Sequence, residues 1–350
     1  MQAGILIYGA NGYTGALIAR MAAERGLRPI VAGRNRAAVE ALAARHGFEA
    51  RVFGLSDPAA LDAGLRGVRL VLHCAGPFVH TAQPVAEACL RTGAHYLDIT
   101  GEVAVFEALA ECDAQARAAG VMLLPGAGFD VVPSDCLAAH LKRRLPHAHQ
   151  LTLGFQLLGG GISWGTATTM VENLHQPSLA RRAGKLVPIT PAAPRTIDFG
   201  NGPANALPIA WGDLATAYRS TGVPNITVYS ALGSLPRALI RMSGIMGGLL
   251  SSAPAQRLLK RLIRMQPPGP SDRARARGQS LLWGEALDAS GARCVSRLRT
   301  PEAYTLTALT ALAIAERALS GDAPAGFQTP ALAYGPDFIL SIPGVAREDL

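Results

Sequence analysis

The chain has 350 residues, 49% of them hydrophobic and 5% aromatic, with 38 glycines and a formal net charge of +8. That length can bury a large core and points to two domains. Nearly all the positive charge is arginine, with Lys142, Lys185 and Lys260 as the lysines; scattered arginines without interleaved aromatics argue against a nucleic-acid partner and leave an anionic cofactor, substrate or lipid surface.

From the start, Gly4 to Tyr8 is an apolar run that ends in Gly9-Ala10-Asn11-Gly12-Tyr13-Thr14-Gly15 and passes at once into a helix-like pattern. Strand, glycine turn and helix in that order make a phosphate cradle. Gly9 allows a tight exit from the strand, Gly12 leaves room for backbone to approach a pyrophosphate, and Gly15 lets the helix pack close. The N–H groups of the helix start, with Asn11, Tyr13 and Thr14 around them, would face the anion. The Gly-x-x-Gly-x-x-Gly spacing is wider than the usual Gly-x-Gly-x-x-Gly.

Pro29 to Gly33 reads as a second strand, running into Arg34-Asn35-Arg36. An acid at that strand end would accept from a ribose 2′-hydroxyl, whereas an arginine suits a 2′-phosphate. Arg34 therefore favours NADP(H), with Arg36 in reserve. A helix over Arg36 to Gly47 and a strand over Glu49 to Leu55 follow. Ser56 is expected to cap the next helix, with Pro58 close behind; its place at a strand end also makes it a candidate neighbour of the adenine. Val68 to Ala75 is an apolar fourth strand that runs into Gly76-Pro77-Phe78, where backbone can lie along a ribose and Phe78 can either wall a nicotinamide or sit in the core. Thr81 to Thr92 and Val103 to Gly120 read as helices, and His95 to Asp98 and Val121 to Leu124 as the fifth and sixth strands. Gly128-Phe129-Asp130 closes the series. Strands and helices alternating in this way define a doubly wound parallel sheet.

The glycine turn, Gly33-Arg34, Cys74-Ala75-Gly76-Pro77-Phe78, His95 to Glu102 and Gly128 to Asp135 together resemble the saccharopine dehydrogenase-like oxidoreductases, a group that includes the bacterial trans-acting enoyl reductases. The likeness is dense in the first half and looser through Gly326-Phe327-Gln328-Thr329-Pro330 and Phe338-Ile339-Leu340. It implies an α/β protein with a Rossmann domain for NADP(H), spanning 1–130 and completed by 301–350. It also implies an inserted α+β substrate domain, 131–300, and hydride transfer.

Past Val131 the rhythm changes. Pro133-Ser134-Asp135 starts a helix to Arg144, His149 to Leu157 is a strand, and Gly159-Gly160-Gly161 precedes Trp164, which either covers substrate as part of a lid or tucks into the core. Thr166 to His175 reads as a helix. Strand-like runs at Lys185 to Ile189, Arg195 to Phe199, Thr216 to Ser220, Ile226 to Ala231, Gln279 to Leu287 and Arg293 to Arg299 suggest a largely antiparallel sheet. Pro236 to Met265 is greasy, basic and too interrupted to span a membrane; it is either a soluble helical hairpin or an element that takes an acyl chain or touches an anionic membrane. Gln266 to Arg277 reads as a flexible loop. Thr300 is expected to cap a helix that runs to about Ser320.

For chemistry, Asp130 leads the substrate-side candidates, with Glu102 second and Asp135 behind; each is alternatively a turn or cap residue. Two functions fit: a reductase acting on an imine, ketone or enoyl group of a small molecule, with a hydrophobic acyl, lipid-like or polyketide substrate among the options, or a non-catalytic NADP(H)-binding sensor or scaffold, membrane-associated or not. A homodimer is left open. No metal-ligand spacing or nucleophile elbow occurs. Five widely spaced cysteines and the absence of an apolar leader pattern point to the cytoplasm.

Overall fold

The structure is a computed structural model that describes residues 3–173, 177–189, 193–231 and 253–350. Within it the chain forms two compact units, Met1–Cys136 with Tyr304–Ile342, and Leu137–Ala303 with Pro343–Leu350.

In the first unit, β1 (Ala3–Tyr8), α1 (Tyr13–Glu24), β2 (Ile30–Gly33), α2 (Arg36–His46), β3 (Glu49–Val52), α3 (Pro58–Gly64), β4 (Val68–His73), α4 (Phe78–Thr92), β5 (His95–Asp98), α5 (Val103–Ala110), α6 (Asp113–Ala119) and β6 (Met122–Leu124) follow one another. The sheet is parallel throughout, and a last strand, Gly326–Phe327, joins its β6 edge. The spatial order from that edge is β6, β5, β4, β1, β2, β3. This is the doubly wound order of a Rossmann sheet, whose direction of winding reverses beside β1. Ile5, Leu6, Ile7, Leu70, Val71, Leu72, Leu97 and Leu123 are all buried, as expected where helices cover both faces.

The second unit is built on a nine-stranded sheet. Its pairings are antiparallel except for Asn225–Ala231 beside Ala148–Leu158, which is parallel. Ile197, Phe199, Leu281, Trp283 and Val295 form a core cluster on it.

Several elements differ from the sequence expectation. The single helix expected over Val103 to Gly120 is two, α5 and α6. The break places Asp113 so that its Oδ1 accepts from the Phe327 N–H at 2.8 Å, docking the edge strand. The cap of α3 is Asp57, not Ser56: its carboxylate accepts from Ala59 and Ala60. Thr216 to Ser220 is not a strand but part of the helix Asp213–Thr221, which buries Leu214, Ala215 and Ala217 and ends on Gly222 at φ 68°. Within Gln266 to Arg277 lies a helix, Asp272–Arg277, capped by the Ser271 side chain on Ala274 N–H. Thr300 belongs to the strand Arg293–Pro301, and the following helix is Ala303–Leu319. The chain end, expected with the first unit, instead adds strand Ala346–Asp349 to Arg293–Pro301 in the second. Of the 236–265 element, residues 236–252 lie outside the described residues; the remainder forms the helix Ala253–Arg264.

Candidate functional site

The glycine turn leaves β1 at the carboxyl edge, beside the winding reversal. Gly9 has φ 79°, and its N–H donates to Ala32 O at 2.8 Å. A Cβ on Gly9 would stand 2.8 Å from Ala75 Cβ, and one on Gly15 would stand 2.5 Å from Gly9 O. Both separations are too short for a side chain, so the turn is closed around backbone. Gly12 is the N-cap of α1 and offers no side chain to cap it. First-turn N–H groups have no intrahelical acceptor, and the dipole of a helix makes that end a site for an anion. Asn11 and Gly12 are exposed, while Tyr13 and Thr14 are half-buried. The Tyr13 ring meets Tyr304 edge-on, centroids 5.1 Å apart.

The neighbouring strand ends converge on this turn. A Cβ on Gly33 would lie 3.0 Å from Asn11 Oδ1, so the end of β2 touches the turn, and Arg34 follows directly. Arg34 is exposed and has no ion pair or hydrogen bond among the described residues, whereas Arg36 is paired with Glu40 at 3.0 Å. Arg34 is thus the arginine available to an added phosphate. Ser56 is exposed beyond β3 and makes no hydrogen bond among the described residues. On the other side, Gly76 is exposed, Pro77 is half-buried and is the N-cap of α4, and Phe78 is buried against His73, centroids 5.3 Å apart. Of the two readings of Phe78, the core one describes its position.

Glu102 and Asp130 have distinct surroundings. The Glu102 carboxylate spans the start of α4, accepting from Phe78 N–H and Val79 N–H at 2.9 Å each. It is therefore a cap in trans for another helix, which fixes the Gly76-Pro77-Phe78 turn. Asp130 lies on Gly101: a Cβ there would meet its Oδ2 at 2.7 Å. Burial pushes the Asp130 carboxyl up to about 7, and the nearby Glu102 carboxylate adds to the rise. Gly128, just before it, is pressed on Thr307, whose hydroxyl accepts from Phe129 N–H at 3.0 Å. Asp135 is buried and accepts from Ala331 N–H at 2.8 Å, a helix-capping position.

Two neighbours were not singled out from the sequence. Asp98, fully buried, accepts from Thr100 N–H at 3.0 Å, Gly126 N–H at 2.8 Å and the Tyr96 hydroxyl at 2.7 Å, so it ties the ends of β5 and β6 together. Burial pushes its carboxyl up to about 6 against the pull of those hydrogen bonds. His73, fully buried at the end of β4, is held neutral, with a pKa lowered to about 3 by desolvation, and its Nε2 lies 3.0 Å from Thr81 Oγ1. The visible signal for both is a titratable residue closing an apolar strand. Among the described residues no group of His, Cys, Asp and Glu is arranged to hold a metal ion, and all five cysteines are free thiols.

A glycine cradle at a helix start, on a parallel sheet wound in this order, defines a dinucleotide-binding α/β protein. Residues 5–124 match the model of the saccharopine dehydrogenase NADP binding domain, and this part of the chain is similar to that family. A trans-acting enoyl reductase of Mycobacterium leprae is 34% identical over 149 residues, 40% of this chain and 36% of that protein. A Mycobacterium tuberculosis protein provisionally named a trans-acting enoyl reductase is 26% identical over 348 residues, 84% of this chain and 83% of its own length. The human saccharopine dehydrogenase-like oxidoreductase is 26% identical over 162 residues, 38% of its length. The chain thus spans little more than a third of the first and last of these relatives. Apo saccharopine dehydrogenase (L-Glu forming) from Saccharomyces cerevisiae shares the fold, with a TM-score of 0.68 over 99% of this chain and all of that one, at 12% identity.

Proposed function

We propose that the protein is an NADP(H)-dependent oxidoreductase of the saccharopine dehydrogenase-like type, acting on an imine, ketone or enoyl group. The observation that carries the reading is the set of close approaches along the carboxyl edge of the sheet: Gly33 on Asn11, Gly9 on Ala75, Glu102 on Phe78 and Val79, and Gly101 on Asp130. The turn, closed around backbone at Gly9 and Gly15, and the available Arg34 fit a pyrophosphate and a 2′-phosphate respectively. When bound, the nicotinamide supplies the hydride. Gly9, Gly12 and Gly15 bring backbone against the pyrophosphate, and Arg34 selects the phosphorylated ribose. Glu102 holds the turn at Gly76-Pro77-Phe78 in place. Asp130, with a carboxyl that titrates near neutrality, donates or takes up the accompanying proton. An enoyl substrate is in keeping with the names of the trans-acting enoyl reductases among the relatives.

The test is NADPH oxidation by the full chain against keto acid plus amine pairs, simple ketones and enoyl thioesters. Turnover on one class, abolished in Asp130→Asn with NADPH affinity retained, supports the reading. Stoichiometric NADPH binding without turnover on any class favours a cofactor sensor instead.

A further inference from the structure

The helix Ala253–Arg264 carries exposed apolar side chains on one face, uncovered among the described residues. Leu258 is 60% exposed, Leu262 49% and Met265, just beyond the helix, 75%. At about 100° per residue, positions 258, 262 and 265 fall within roughly 60° of one another, a single stripe along the helix. The packed side is different: Leu259 and Ile263 are half-buried, and the helix contacts the helix Trp164–Asn173. Along the other flank of the stripe stand Arg257, Arg261 and Arg264, all exposed.

Trp164 extends this surface. Its side chain is 38% exposed, and its indole N–H donates to Gln266 O at 2.8 Å, next to Met265. The backbone N–H of Trp164 donates to Pro268 O at 3.1 Å, so two segments are tied here. Ile162, two residues earlier, is 48% exposed. The tryptophan is neither tucked into the core nor part of the glycine loop before it.

We propose that this face of the second unit docks the protein on an anionic lipid bilayer, with Leu258, Leu262, Met265 and Trp164 entering the headgroup boundary and the three arginines meeting lipid phosphates. The charge pattern selects the partner. Apolar residues and a tryptophan beside a row of arginines are the composition of a helix lying in the plane of an interface. Tryptophan favours that boundary because one edge is apolar and the other hydrogen-bonded. Among the described residues no helix is long and apolar enough to cross a membrane, so the contact is peripheral. The surface lies in the second unit and requires nothing of the glycine turn, so its failure and the failure of the oxidoreductase reading are separable.

The test is flotation of the full chain with phosphatidylcholine vesicles, with or without ~30% phosphatidylglycerol. The expected result is binding to the anionic vesicles alone, lost on raising salt from about 0.1 M to about 1 M. Leu258→Ser with Leu262→Ser should lower binding tenfold or more, and each of Arg257→Gln and Arg261→Gln about fivefold. Melting temperature and NADPH affinity should stay at wild-type values, since all four positions are exposed. Equal binding of wild type and the leucine variant, or binding to neither vesicle, overturns the proposal. In that event, leucine-dependent retention on immobilised polyglutamate would assign the face to an acidic protein partner.

Discussion

At the carboxyl edge of the first unit, burial pushes Asp98 up to about 6 and Asp130 up to about 7. In the second unit two turn acids move the other way. Asp198 is held below the ordinary carboxylate range by the Gly200 N–H and then by Arg297, and Asp288 by the Ser290 hydroxyl. Those two acids are satisfied where they stand, in turns. The first collects carboxyls where ionisation is unfavourable, beside a turn open to a ligand, and that is where chemistry is expected.

The comparison is broken most directly at the turn. Gly15→Ala puts a methyl 2.5 Å from Gly9 O, and the backbone shift it forces should weaken NADPH binding about 100-fold, measured by fluorescence titration. Unchanged affinity would mean that the cradle does not hold the cofactor. Arg34→Ala should weaken NADPH binding about 10- to 100-fold, the worth of a charged hydrogen bond, with little effect on NADH. An equal loss for both cofactors refutes the 2′-phosphate assignment.

Asp130 sharpens the contrast between the units through pH. Its carboxyl titrates near 7 when folded and near the ordinary value of about 3.9 when unfolded. The folded state therefore holds the extra proton between those values: the stabilisation is full below about 4 and is lost as pH rises through about 7. Asp130→Asn should melt above the wild type at pH 8, with the gap closing toward pH 5. A gap that ignores pH would show that the carboxyl is already ionised at neutrality. The smallest effect on cofactor binding is expected from Phe199→Ala, which empties the core cluster of the second unit at a cost of about 3–5 kcal/mol. NADPH affinity should remain near wild type; if it collapses, the units do not fold independently.

Most of the first unit was legible because its signals are local. Apolar strands buried on both faces, separated by helices and closed by glycine, need no partner to be recognised, and their alternation points to a parallel sheet. Least legible is a side chain that answers to a distant backbone. Glu102 reads as a candidate acid at its own helix start, but its carboxylate is spent on Phe78 and Val79, 24 and 23 residues earlier. Thr216 to Ser220 alternates like a strand, yet burial of Leu214, Ala215 and Ala217 makes it a helix, since packing overrides weak propensity.

The sequence by itself determined the parallel sheet, the glycine cradle, the arginine at the end of β2 and the kind of cofactor, because each depends on residue type and short spacing. Only the tertiary structure decided that Glu102 caps a helix other than its own, that Phe78 is buried, that Asp98 ties two strand ends together, and that the end of the chain pairs in the second sheet. Those outcomes depend on hydrogen bonds and desolvation between residues far apart in the chain, and no local pattern of residue types encodes them.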